Sequence, residues 1–109
     1  MTVIDLQKAL PLTALSFPEG DREVEGVYIG DLLSWVMGRA QSGNAWLTIM
    51  SNLNIVAVAT LSDVSCIILC EGVTLDENVK NTAEAKGINI LATDKTAYET
   101  AKCLAELGL

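Results

Sequence analysis

Three apolar runs stand out along the chain: 45–50 (AWLTIM), 66–70 (CIILC) and 88–92 (INILA). Polar or glycine-containing punctuation follows each, as Ser51-Asn52, Glu71-Gly72 and Thr93-Asp94. Near-continuous apolar runs bounded by turn formers are the pattern of strands buried on both faces of a parallel sheet. Their loops then gather at the carboxyl ends.

The remaining elements follow in order. Thr2 can cap a short helix over 3–10, which Pro11 ends. Residues 12–17 alternate loosely and predict an edge strand. Pro18-Glu19-Gly20-Asp21-Arg22 has the chemistry of a turn. A further strand is expected over 24–29, interrupted by Gly26. Asp31 after Gly30 is placed to cap a helix running to 40, whose stripe is Leu32, Leu33, Val36, Met37 and Ala40. Gly43-Asn44 closes it.

Residues 52–61 pull two ways. Ile55-Val56-Ala57-Val58-Ala59 favours a strand by propensity. If the flanking runs pair in parallel, however, a crossover of about a dozen residues must join them, and crossovers are usually helical. A short helix, apolar on all sides and capped by Asn52, is therefore expected. Two better-marked helices follow. Thr74 with Glu77 has capping-box spacing, Val79 and Ala83 keep one face apolar, and Lys86-Gly87 supplies a stop. Thr96 with Glu99 repeats the spacing, with Ala97, Ala101, Leu104 and Ala105 as the inward stripe. The pattern predicts an α/β fold: a three-layer sandwich with a mostly parallel sheet flanked by helices, formed by residues 1–109 as a single domain.

Composition narrows the function. Half of the 109 residues are apolar, which fits a packed core rather than disorder. The net charge is −7 and the seven basic residues are scattered, which argues against a nucleic-acid surface. The start lacks the basic and apolar regions of a signal peptide, and no apolar run approaches the roughly 18 residues of a membrane span. A soluble cytoplasmic protein is expected. Cys66, Cys70 and Cys103 form no CxxC, and there is no histidine. On a strand, Cys66 and Cys70 share a face about 13 Å apart, too far for a disulfide. They read as buried thiols in a reducing compartment, with no metal and no cofactor expected.

In parallel sheets, ligands bind outside the carboxyl ends of the strands. The ligand-binding candidates are therefore Gly30 and Asp31 on the first rim loop, and Ser51, Asn52 and Asn54 on the second. Glu71 and Gly72 belong to the third, and Thr93, Asp94 and Thr96 to the fourth. Their hydroxyls, amides and N–H groups could hold a sugar or phosphate, although the same residue types are ordinary caps and turn formers. Lys95 is the only basic residue expected near this rim. Neither GxGxxG nor GxxxxGK[ST] occurs. Asp31, Glu71 and Asp94 could converge as a carboxylate cluster, but capping explains Asp31 and Asp94 more simply. Ser34 and the cysteines have no base at a recognisable spacing, so no catalytic residue is assigned and no enzyme is expected. Trp35 sits beside the apolar stripe of its helix, which marks it as an interface candidate. The alternative is that Trp35 and Trp46 both fill the core. A homodimer is the preferred reading.

Four stretches resemble a known family: 24–34 (VEGVYIGDLLS), 46–49 (WLTI), 66–73 (CIILCEGV) and 87–99 (GINILATDKTAYE). Together they look like a stand-alone DRTGG domain, similar to the N-terminal domain of HPr kinase/phosphorylase and to domains between CBS domains in regulated pyrophosphatases. The resemblance implies an α/β fold, a non-catalytic regulatory role and a tendency to pair at a dimer interface. One departure matters. Ser51-Asn52-Leu53-Asn54 stands where the name-giving pentapeptide should follow the second parallel strand, and Asp21-Arg22 lies too early to replace it. No kinase activity carries over. In relatives with CBS domains, adenine nucleotides bind the CBS part. The function expected is a non-catalytic regulatory or protein-interaction domain, with a second copy or another protein as partner. The alternative is a sensor that holds an adenine nucleotide or small anion at the strand-end rim.

Overall fold

The computed structural model describes all 109 residues. The elements are α1 (Val3–Ala9), β1 (Thr13–Ser16), β2 (Val27–Ile29), α2 (Leu33–Arg39), β3 (Ala45–Thr48), α3 (Asn54–Ser62), β4 (Cys66–Leu69), α4 (Glu77–Lys86), β5 (Ile90–Ala92) and α5 (Ala97–Glu106). They form one five-stranded sheet in the order β1-β5-β4-β3-β2. β2 to β5 run parallel, and β1 closes one edge antiparallel to β5. Period-two alternation splits the central strands between two cores. Trp46, Ile67, Leu69 and Ile90 point into the layer with Val36 of α2, Ile55 of α3 and Val79 of α4. Leu47, Cys66, Ile68, Cys70 and Leu91 point to the other, with Val3 and Leu6 of α1 and Leu104 of α5. The two strand cysteines share a face, as their spacing requires.

Topology decides the ambiguous segment. β3 and β4 pair in parallel from Ala45↔Cys66 to Thr48↔Leu69, so the chain between them must cross over, and it does so as α3. Its β-branched content is overridden by the pairing of its neighbours. Asn89, the polar residue inside the third run, is buried for a reason. Its amide donates to the carbonyls of Ser65 and Glu19 (2.9 and 2.8 Å), and its oxygen accepts from Glu19 N (2.9 Å), tying the 18–22 turn to the sheet.

Several local expectations are corrected. β2 begins only at Val27, because Gly26 sits at φ +97° and Glu23 instead bridges to Thr2. α2 has Leu32, not Asp31, at its N-cap, with no side-chain cap. Of its expected stripe only Val36 is buried. Leu32 is 60% and Met37 48% exposed. α3 begins after Leu53, and the Asn52 side chain accepts from Asn54 N (3.0 Å) in a turn just ahead of the helix. The Thr96–Glu99 box forms as expected, but the Thr74–Glu77 box does not. The chain stays extended through Asp76 (ψ 147°) while Leu75 packs against the core, so Glu77 becomes the first helical residue and Thr74 is left outside. In α5, Thr100 is buried and Ala105 exposed. No helix is long and apolar enough to cross a membrane.

Candidate functional site

β2, β3, β4 and β5 all end on one rim, and the loops there carry the residues singled out from the sequence. Their hydrogen bonds show what each is occupied with. Gly30 N donates to Leu47 O (3.2 Å), and its carbonyl accepts from the indole N–H of the buried Trp46 (2.9 Å). The Asp31 carboxylate accepts from the Thr48 hydroxyl (2.8 Å) and from Ile49 N (3.0 Å). It therefore fastens the β2–α2 loop to the end of β3. These two residues are braces between strands.

The β4 and β5 loops are bound to each other. Glu71 (φ 61°) and Gly72 (φ 72°) are consecutive left-handed residues, closed by Val73 N donating to Cys70 O (3.4 Å). Glu71 N donates to Lys95 O (2.8 Å) and Gly72 N to Thr93 O (3.0 Å). These N–H groups, among those that could have held a sugar or phosphate, are therefore spent on loop carbonyls. A Cβ at position 72 would sit 3.2 Å from an Asp94 carboxylate oxygen in a backbone region that side chains rarely adopt, so glycine is required there. Thr96 is occupied by its capping box.

Asp31, Glu71 and Asp94 do not assemble into a metal site, since no three His, Cys, Asp or Glu residues lie where they could hold an ion. Cys70 lies beneath this rim. Burial pushes its thiol up most, the hydrogen bond that the thiol donates to the Thr100 hydroxyl works against this, and the carboxylates of Glu71 and Asp31 push it further up. Burial pushes the Cys66 thiol up to about 12. Both stay protonated near neutral pH and are poor nucleophiles. Arg22 pairs with Asp63 at the end of α3 (3.0 Å). The Asp63 carboxyl lies below its ordinary value, held there by the Ser42 hydroxyl first and by Arg22 next.

Three of the singled-out residues do meet. Gly72, Thr93 and Asp94 line a cleft of about 370 Å³ between β1, the 72–75 segment and α4. Thr13 and Leu15 of β1 form its opposite wall, and Lys80 of α4 reaches it. Sequence reading placed Lys95 alone near the rim and missed Lys80, which only the packing of α4 beside β1 brings there. Thr13 and Leu15 had a legible signal, since they lie two apart on one strand face. Gly30, Asp31, Ser51, Asn52, Asn54, Glu71 and Thr96 lie outside this cleft.

The two tryptophans part company. Trp46 is fully buried, whereas Trp35 is 54% exposed, with the Arg39 guanidinium 3.9 Å from its ring centroid. Leu32 and Met37 on the same segment are also exposed, as are Ile29 and Ile49 at the ends of β2 and β3.

A family model, that of the DRTGG domain, matches residues 7–107. Among solved structures, the chain is similar to the crystal structure of the CBS and DRTGG domains of the regulatory region of Clostridium perfringens pyrophosphatase complexed with activator, diadenosine tetraphosphate. The TM-score is 0.73 at 15% identity, over 94% of this chain and 45% of that one, a likeness of fold. The chain thus spans under half the length of that structure. No curated protein matches it.

Proposed function

This chain belongs to the DRTGG domain family, and we propose that it is a non-catalytic regulatory domain that works as a homodimer through protein contacts, in the cytoplasm. One observation carries the reading. α2 and the residue before it turn Trp35, Met37 and Leu32 toward solvent at about half exposure or more, and apolar side chains grouped on one exposed segment mark an interaction surface. Large half-exposed aromatics beside a cation are the composition of interface cores. The protonated buried thiols and the absence of histidine fit a non-catalytic role. The presence of a DRTGG domain in the regulatory region of a pyrophosphatase fits the regulatory one.

Truncating an aromatic hot spot of an interface costs about 2 kcal/mol or more, roughly thirtyfold in a dissociation constant. Trp35→Ala is therefore expected to weaken self-association by that order while circular dichroism stays unchanged. A dimer of unaltered affinity by sedimentation contradicts the reading. A second reading is favoured by the cleft. Lys80 and Asp94 on its walls, with Thr13 and Thr93, suit a small polar ligand such as an adenine nucleotide or a small anion. A ligand bound there would bridge α4 and the joined β4 and β5 loops.

A further inference from the structure

Between Asp31 and Asp63 the chain has no carboxylate and a single charge, Arg39, although it contains 14 Asp and Glu in all. That stretch builds α2 and α3, which are neighbours in the same helical layer, with α4 on the other side of α3. α3 is apolar over most of its surface, with Asn54 and Thr60 as its exposed polar residues. Ile55, Val56, Val58 and Ala59 face the sheet, while Leu53, Ala57 and Leu61 are exposed, Leu61 at 74%. Their four-residue spacing sets these three in one outward stripe. Exposed apolar side chains aligned along one helix face mark a surface that a partner covers. The stripe forms one wall of a groove of about 490 Å³ between α3 and α4, where Asn54 and Thr60 lie beside it and Thr82 and Lys86 line the α4 side.

We propose that this stripe is covered by a second copy of the chain, in a two-fold contact of α3 on α3 centred at Ala57. The proposal rests on the homodimer reading and names its surface. The sequence Leu53-x₃-Ala57-x₃-Leu61 has the same apolar spacing in both directions. An axis through Ala57 therefore sets Leu53 of each copy against Leu61 of the other, the self-complementarity that an isologous interface requires. Alanine at the crossing lets the two helices approach closely. Charge selects the occupant. Two copies at −7 each repel one another, and the sector without carboxylates is where they can meet at least cost. A basic partner would be drawn instead to the acidic remainder of the surface. Size extends the contact. A stable interface takes roughly 800 Å² per partner, about one face of a molecule measuring 32 × 26 × 25 Å. The contact must therefore spread from α3 onto α2, bringing in Trp35 and Met37.

A charge exchange tests the register. Leu61→Glu alone and Leu53→Lys alone each place two like charges at the seam, one from each copy, opposite leucines. Both are expected to shift the dimer to monomer by light scattering, with circular dichroism unchanged. The double variant Leu53→Lys/Leu61→Glu sets each introduced carboxylate against an introduced ammonium of the other copy and is expected to restore the dimer. Tyr98→Glu, at an equally exposed site on α5, is expected to leave it intact. If the wild-type protein is a dimer that survives Leu61→Glu, the surface lies elsewhere and this inference fails while the homodimer reading stands. A double variant that stays monomeric overturns the two-fold at Ala57. A monomeric wild-type protein overturns both.

Discussion

At the scale of single residues, the chemistry of the strand-end rim is mostly structural. Asp31 is the clearest case. From sequence it is an ordinary cap, an acidic residue after glycine and before a helical stripe. Its partners, Thr48 and Ile49, lie on another strand, and nothing local marks them. Asp31→Ala leaves the hydroxyl of Thr48, a residue 2% exposed, without its acceptor. The expected loss is about 1 to 3 kcal/mol, the cost of a stranded buried polar group. A fall in Tm of several degrees by calorimetry would bear this out, and an unchanged Tm would mean that the carboxylate braces nothing. The tryptophans are similar. That Trp35 falls beside its helix stripe was legible, but that Trp46 is buried and its N–H satisfied depends on Gly30 lying alongside, which local pattern cannot reveal.

Among the elements, two identical capping signatures had different fates. Thr96 and Glu99 close both reciprocal bonds at 3.0 and 3.1 Å. Thr74 and Glu77 close neither, because seating Leu75 in the core keeps the chain extended for two more residues. Thr96→Ala is therefore expected to cost about 1 kcal/mol in chemical denaturation. Thr74→Ala should fall within about 0.5 kcal/mol of wild type. Equal losses would refute the difference between the two ends. α3 illustrates the opposite lesson. Its propensity was misleading, and the requirement for a crossover between parallel strands gave the right element. The apolar character that made it ambiguous is now explained by two coverings, the sheet on one side and, as proposed, a second copy on the other.

For the whole molecule, three apolar runs and their punctuation were enough to read the parallel sheet and its layers. The geometry of the rim was not legible in the same way. Which loop binds which depends on strand order, and with the β4 and β5 loops paired, Gly72, Thr93 and Asp94 face the cleft at the edge closed by β1. The distribution of charge was present in the sequence throughout. It acquired meaning once α2 and α3 proved to share a layer with an uncovered apolar face. The central claim is that this family member acts as a dimer. It is tested most directly by the mass of the wild-type protein from light scattering over a range of concentrations, with and without ATP, ADP and AMP, while tryptophan emission is followed in the same samples. The account predicts twice the 11.6 kDa chain mass in every sample, indifferent to nucleotide. A particle of 11.6 kDa whose emission shifts when a nucleotide is added would contradict it and assign function to the cleft instead.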